Sequence, residues 1–99
     1  MSDGKAVLVT GGARGIGRGV AAWMLRRGYR VVLVDCDAAR GSRTADELGR
    51  DGDVIFCHAD VAVETEVRSA VAQSVEHCGR LDALVNNAGL ATTFGTPVE

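Results

Sequence analysis

Short apolar runs alternate along this chain with longer stretches whose apolar residues recur every three or four positions. Lys5–Thr10, Arg30–Val34, Val54–His58 and Ala83–Asn86 are brief, rich in Val, Leu and Ile, and read as buried strands. Between them lie three helical patterns. The first, from Ile16 to Arg27, carries Ile16, Val20, Met24 and Leu25 as its expected apolar stripe, and Gly28 is placed to end it in the left-handed conformation. The second, from Ala38 to Leu48, has Asp37 as a natural N-cap, a narrow face of Ala38, Gly41, Ala45 and Leu48, and Gly49 as its stop. The third, from Glu64 to His77, shows Val67, Ala70, Val71, Ser74, Val75 and Cys78 at helical spacing. Glu64 and Glu66 sit in its first turn, where the helix dipole favours them, and Gly79 is its stop.

The order β-α-β-α-β-α-β, followed by a tail from Asn87 to Glu99 whose last stretch, Thr92 to Glu99, reads as loop, predicts a doubly wound parallel α/β sheet. Strands covered on both faces account for the continuous apolar runs. The expected strand order is 3-2-1-4, with the first two helices on one face and the third on the other.

Composition narrows the function without choosing it. With 99 residues, 46% of them apolar, the chain has room for one domain and enough side chain to form a core. Thirteen acidic residues against 11 basic ones, with no basic run longer than Arg26-Arg27, offer no footprint for nucleic acid. No apolar run approaches the ~20 residues of a membrane span, and no signal-peptide core precedes the first strand. A cytoplasmic location is the expectation. Cys36, Cys57 and Cys78 contain no Cys-x-x-Cys, so they read as plain thiols of a reducing compartment, and no metal site is expected. His58 and His77 read as structural or solvent-facing, and Trp23 as an aromatic covering the helix–sheet or outer face.

The candidate chemistry begins at Thr10-Gly11-Gly12-Ala13-Arg14-Gly15-Ile16-Gly17, between the first strand and the first helix. A pyrophosphate needs close approach to backbone N–H groups at a helix N-terminus, and a Cβ in the turn would block it. Gly11 is expected to make the turn, Gly15 to admit the phosphates and Gly17 to let the helix pack on the strand. The spacing is neither Gly-x-Gly-x-x-Gly nor a Walker A loop, since Arg18-Gly19 stands where Lys-Ser/Thr is needed. Asp35 ends the second strand, close to the roughly 20 residues expected before a ribose-binding acid. Its carboxylate suits a bare ribose and repels a 2′-phosphate, which favours NAD over NADP. Arg14 and Arg40 are the cations that could reverse that preference. A ligand-free glycine turn, or Asp35 as an ordinary strand-end acid, is the bland alternative.

Three motifs, each after a predicted strand, together resemble the N-terminal half of a classical short-chain dehydrogenase/reductase. They are Thr10-Gly11-x-x-x-Gly15-Ile16-Gly17, Asp60-Val61 and Asn86-Asn87-Ala88-Gly89. The resemblance covers Lys5 to Val98 and implies a Rossmann-type domain over residues 1–99, incomplete in its second half and cut after the fourth strand. It implies that the backbone of Gly11, Arg14, Gly15, Ile16 and Gly17 holds a pyrophosphate. Asp35 and Cys36 would meet the adenosine, Asp60 and Val61 the adenine, and Asn87, Ala88 and Gly89 the nicotinamide-side ribose, with Asn86 structural. As rivals, Asp60 would merely cap the third helix and Asn-Asn-Ala-Gly would be a polar turn.

The implied enzyme moves hydride between NAD and an alcohol/carbonyl pair, acts on a small alcohol or ketone, and is a homo-oligomer in its full-length form. The family's Tyr-x-x-x-Lys is not here: Leu33 stands four residues after Tyr29, the one tyrosine. No catalytic residue is assigned, and the chain alone is expected to be inactive. A nucleotide-binding module without chemistry, or a methyltransferase-like domain binding S-adenosylmethionine, are the competing functions.

Overall fold

A computed structural model describes residues 4–13 and 15–87. The elements are β1 (Ala6–Thr10), α1 (Gly15–Arg26), β2 (Arg30–Asp35), α2 (Ala38–Leu48), β3 (Val54–His58), α3 (Glu64–Cys78) and β4 (Ala83–Asn86). They form a four-stranded parallel sheet in the order β3-β2-β1-β4, as expected.

Side chains alternate across the pleat of each strand and so serve two cores. Val7, Val9, Val31 and Leu33 face α1 and α2, where Ala21, Leu25 and Leu48 meet them. Ala6, Leu8, Val32, Val34 and Cys57 face α3 through Ala70 and Cys78. The helices thus sit two on one face and one on the other. β1 is buried along its whole length because it has a strand on each edge and helices on both faces. Each fully buried Val or Leu contributes about 1.5–3 kcal/mol of apolar burial.

Local signals ended the helices where expected. Gly28 has φ +86°; its N–H donates to the Leu25 carbonyl while the Tyr29 N–H reaches the Met24 carbonyl, a Schellman closure. Asp37 accepts from the Arg40 N–H, and Gly79 closes α3 at φ +78°.

The buried faces differ from the expected stripes. In α1 they are Gly17, Ala21 and Leu25, while Ile16 is 77% exposed. The helix enters so close to the glycine turn that its smallest residue must face it. In α2, Thr44 rather than Ala45 is the buried partner of Gly41 and Leu48, and Ala38 is exposed. The interior of α2 comes so near the sheet that Gly41 lies against the Phe56 ring. In α3, Val75 is exposed, and β4 is mostly exposed, with Leu84 at 55%. Among the described residues β4 pairs only with β1, so one edge and part of its α3-side face lack a neighbour. Trp23 lies on the outer face of α1, with the Arg27 guanidinium 3.5 Å from its ring centroid.

Candidate functional site

Parallel register brings the sequence motifs together. Thr10 pairs with both Val34 and Asn86, and Asp35 pairs with His58. The glycine turn, Asp35-Cys36, Asp60-Val61 and Asn87 therefore all leave the sheet along one edge, at its carboxyl ends. β1 lies between β2 and β4, and its two neighbours are reached by crossovers on opposite faces. Such a switch point leaves a crevice at the strand ends.

The glycine turn is held from several directions. The Gly11 N–H donates to the Val34 carbonyl at 2.7 Å, and the Gly12 N–H shares that acceptor at 3.4 Å. The Ala13 N–H donates to Asp35 Oδ2 at 3.2 Å. These amides point into the protein. The first-turn amides of α1, at Gly15, Ile16 and Gly17, have no acceptor within the helix and are the ones available to an anion. Among the described residues of the turn, the Gly11, Gly12 and Ala13 amides are thus already engaged within the protein.

Gly15 is glycine for its conformation, φ +61°, because a Cβ there would meet nothing within 4 Å. Gly17 is glycine for space. A Cβ would lie 2.8 Å from the Gly11 carbonyl carbon, closer still to its oxygen, and 3.0 Å from Asn87 Nδ2.

Asp35 is half-buried, with both carboxylate oxygens engaged: Oδ2 by Ala13 and Oδ1 by the Asp37 N–H at 2.9 Å. A carboxylate offers about four lone-pair sites, so this acceptance leaves capacity for two hydroxyl donors. Arg40 lies 3.5 Å from Asp37, and Arg18 is paired with Glu47 at 2.8 Å. The Arg18 hydrogen bond, reinforced by its charge, holds the Glu47 carboxyl below the usual range.

Cys36 is exposed beside Asp35, and the His58 ring donates from Nε2 to its carbonyl at 2.9 Å. Burial raises the thiol pKa of both Cys57 and Cys78, which keeps them protonated and chemically quiet. Asp60 does not cap α3; that position is Val63, without a side-chain cap. Asp60 instead accepts from the Ala62 N–H at 2.9 Å, and its own N–H donates to Glu66 Oε1 at 2.8 Å. Asp60 is exposed, while Val61 turns inward with Leu8, Thr10, Val67 and Leu84 around a cleft under α3.

At the fourth strand end, the Thr10 hydroxyl lies 3.1 Å from Asn86 Oδ1, consistent with a structural Asn86. Asn87 Nδ2 donates to the Gly11 carbonyl at 3.4 Å, so this side chain braces the glycine turn. Arg14, Ala88 and Gly89, and the tail beyond them, lie outside the described residues.

Sequence reasoning missed Ala13 and Thr44. Thr44 is 2% exposed, and its hydroxyl donates to the Ala13 carbonyl at 2.7 Å. The available signal was a hydroxyl aligned with Gly41 and Leu48 on one helical face.

The family described as short chain dehydrogenase matches residues 5–98. The chain is 40% identical to (+)-borneol dehydrogenase 2 of Salvia officinalis over 88 residues, which cover 89% of this chain and 31% of that protein. Human 15-hydroxyprostaglandin dehydrogenase [NAD(+)] is 42% identical over 91 residues, covering 89% and 34%. The chain thus spans about a third of the length of these curated relatives. Among solved structures, a short chain dehydrogenase of Mycobacterium smegmatis superposes with a TM-score of 0.81 at 41% identity, over 84% of this chain and 36% of that one. A Burkholderia phymatum short chain dehydrogenase/reductase in complex with NAD gives 0.78 at 31% identity, over 81% and 29%. The Pseudomonas aeruginosa RhlG/NADP complex gives 0.75 at 41% identity, over 85% and 34%.

Proposed function

Because the chain belongs to the short chain dehydrogenase family, we propose that it forms the cofactor-binding half of an NAD-dependent oxidoreductase interconverting an alcohol and a carbonyl by hydride transfer. The observation that supports this reading is the shared edge: one register gathers the glycine turn, Asp35, Asp60-Val61 and Asn87 at the carboxyl ends of the strands.

The residues present fit a dinucleotide. The open surface at Gly15 leaves the first-turn amides of α1 approachable, and Asp35 keeps hydrogen-bonding capacity beside them. Gly15, Ile16 and Gly17 would hold the pyrophosphate, joined by Arg14 and by Gly11 through the turn it makes. The exposed Ile16 would cover apolar ligand surface. Asp35 and Cys36 would meet the adenosine, Asp60 and Val61 the adenine, and Asn87, Ala88 and Gly89 the far ribose. When bound, the nicotinamide takes up or gives the hydride. These residues bind and orient; none is assigned to proton transfer, and turnover by this chain alone is not expected. A small alcohol or ketone substrate, a homo-oligomeric full-length protein and a cytoplasmic location belong to the same proposal. Among the described residues no helix is long and apolar enough to cross a membrane.

NAD is preferred because Asp35 would face the 2′ position, while Arg40 already has a carboxylate partner; Arg14, the other cation that could reverse the preference, lies outside the described residues. The relatives and neighbours include NAD and NADP binders alike, so the choice rests on these side chains. Calorimetric titration with each cofactor tests it. NAD should bind at least about tenfold more tightly than NADP, a difference of about 1.4 kcal/mol. Asp35→Ser should narrow that gap. Tighter NADP binding would overturn the cofactor choice, and binding of S-adenosylmethionine in place of both would overturn the function.

A further inference from the structure

The Ala13 residue of the glycine turn is gripped on both of its polar groups. Its N–H donates to Asp35 Oδ2 at 3.2 Å, and its carbonyl accepts the Thr44 hydroxyl at 2.7 Å. Ala13 and Thr44 are each 2% exposed, so the bond between them forms where water does not compete freely, while the bond to Asp35 is part-buried. Thr44 belongs to α2, 31 residues from Ala13 in sequence, and none of the sequence motifs contains it.

The hydroxyl has one proton and two lone pairs. Arg18 Nη1 approaches Thr44 Oγ1 at 3.4 Å, and Arg18 is itself anchored by Glu47. A guanidinium only donates, so it occupies a lone pair of the hydroxyl and leaves the proton to Ala13. The chain Glu47–Arg18–Thr44–Ala13–Asp35 therefore joins both helices of this face to the acid ending β2. A methyl-bearing apolar residue would fill the same space without the cost of burying a hydroxyl. The hydroxyl is used twice, as the donor to the Ala13 carbonyl at 2.7 Å and as the acceptor of the longer Arg18 contact at 3.4 Å.

We propose that Thr44 is a positioning residue for the dinucleotide site: by fixing the Ala13 carbonyl it holds the turn ahead of Gly15 in one orientation, and so sets dinucleotide affinity without contacting the dinucleotide. The inference rests on the reading that this turn binds NAD. A planar peptide whose carbonyl is fixed has little freedom left, so the entry into the first turn of α1 is preorganised before the ligand arrives.

The test compares Thr44→Val, which keeps the shape and removes both the donor to Ala13 and the acceptor for Arg18, with Thr44→Ser, which keeps both and removes a methyl. A third variant, Arg18→Gln, removes the Arg18 contact by itself and should leave NAD affinity within about twofold of wild type. NAD affinity is measured by calorimetry beside thermal unfolding of each variant. Thr44→Val should weaken NAD binding roughly fivefold to tenfold, the worth of one lost hydrogen bond. Thr44→Ser should stay within about twofold of wild type in affinity even if its melting temperature falls, because its hydroxyl still restrains the turn. A purely packing role predicts the reverse, with stability lost in both variants and affinity in neither. Should Thr44→Val not fold, Thr44→Cys, with only a weak S–H donor, replaces it against serine under the same expectations. Equal NAD affinity in the donor-free variant and wild type would overturn the proposal, as would an equal loss in the serine variant. Failure of the wild-type protein to bind NAD would instead overturn the functional reading beneath it.

Discussion

Gly17 and Gly19 lie two residues apart in α1, and the structure predicts opposite outcomes for the same substitution at each. At Gly17 an added methyl would sit 2.8 Å from the Gly11 carbonyl carbon and 3.0 Å from Asn87 Nδ2. The Gly11 atoms are backbone, tied through the Gly11 N–H to Val34 at 2.7 Å, and cannot swing aside. Carbon atoms pack comfortably at about 3.5–4.0 Å, so α1 must withdraw by on the order of 1 Å. Overpacking of this kind costs about 1–3 kcal/mol, and the withdrawal also loosens Ala21 and Leu25 against the sheet. At Gly19 an added methyl meets nothing within 4 Å. There the substitution only restricts the unfolded chain and should stabilise by about 0.5–1 kcal/mol.

Thermal unfolding followed by circular dichroism reads both. For a chain of 99 residues, Gly19→Ala should raise the melting temperature by about 2–8 °C and Gly17→Ala should lower it by about 4 °C or more. NAD affinity should fall at least about tenfold in Gly17→Ala, because the first-turn amides move with the helix, and stay unchanged in Gly19→Ala. Equal stability changes at the two positions would refute the reasoning. The glycines would then matter for helix propensity alone and not for the approach of α1 to the turn.

Two further outcomes follow from the fold. Asp82 accepts from the Ala6 N–H at 2.8 Å and pairs with Arg80, and the Arg80 hydrogen bond, followed by that of Ala6, holds its carboxyl below the usual range. Its stabilisation is therefore complete above the ordinary aspartate value of about 3.9 and is lost as pH falls through the depressed one. Urea midpoints measured down the acid limb should fall less steeply in Asp82→Asn than in wild type; parallel curves would exclude Asp82 as a contributor. Gly41→Ala would place a methyl 2.5 Å from Phe56 Cδ1 and nearer its ring edge, and should cost about 1–3 kcal/mol in urea unfolding. Adding Phe56→Leu should recover part of that loss; no recovery would place the strain elsewhere.

The sequence by itself determined whatever depends on near neighbours. Asp37 caps α2 through an amide three residues on, and Gly28 and Gly79 stop their helices through their own positive φ. The alternation of strand and helix was sufficient for a parallel sheet with right-handed crossovers, and the motifs after the strands, read as Rossmann-type, supplied the order 3-2-1-4. Chain order also placed the motifs after the strands, and the register then aligned those strand ends. What each site residue does was decided only in three dimensions. Ile16 had the composition of a core residue, yet Gly17 took the buried face, because the required clearance is set by Gly11 and by Asn87, which lies far along the chain. Asp35 was legible as an acid at a strand end, but not as the partner of Ala13. Thr44 was invisible as a site residue, since a hydroxyl in a helix shows its purpose only when folding brings the carbonyl it holds within 2.7 Å. Periodicity reports which side of an element is apolar; it does not report which atom waits on the other side.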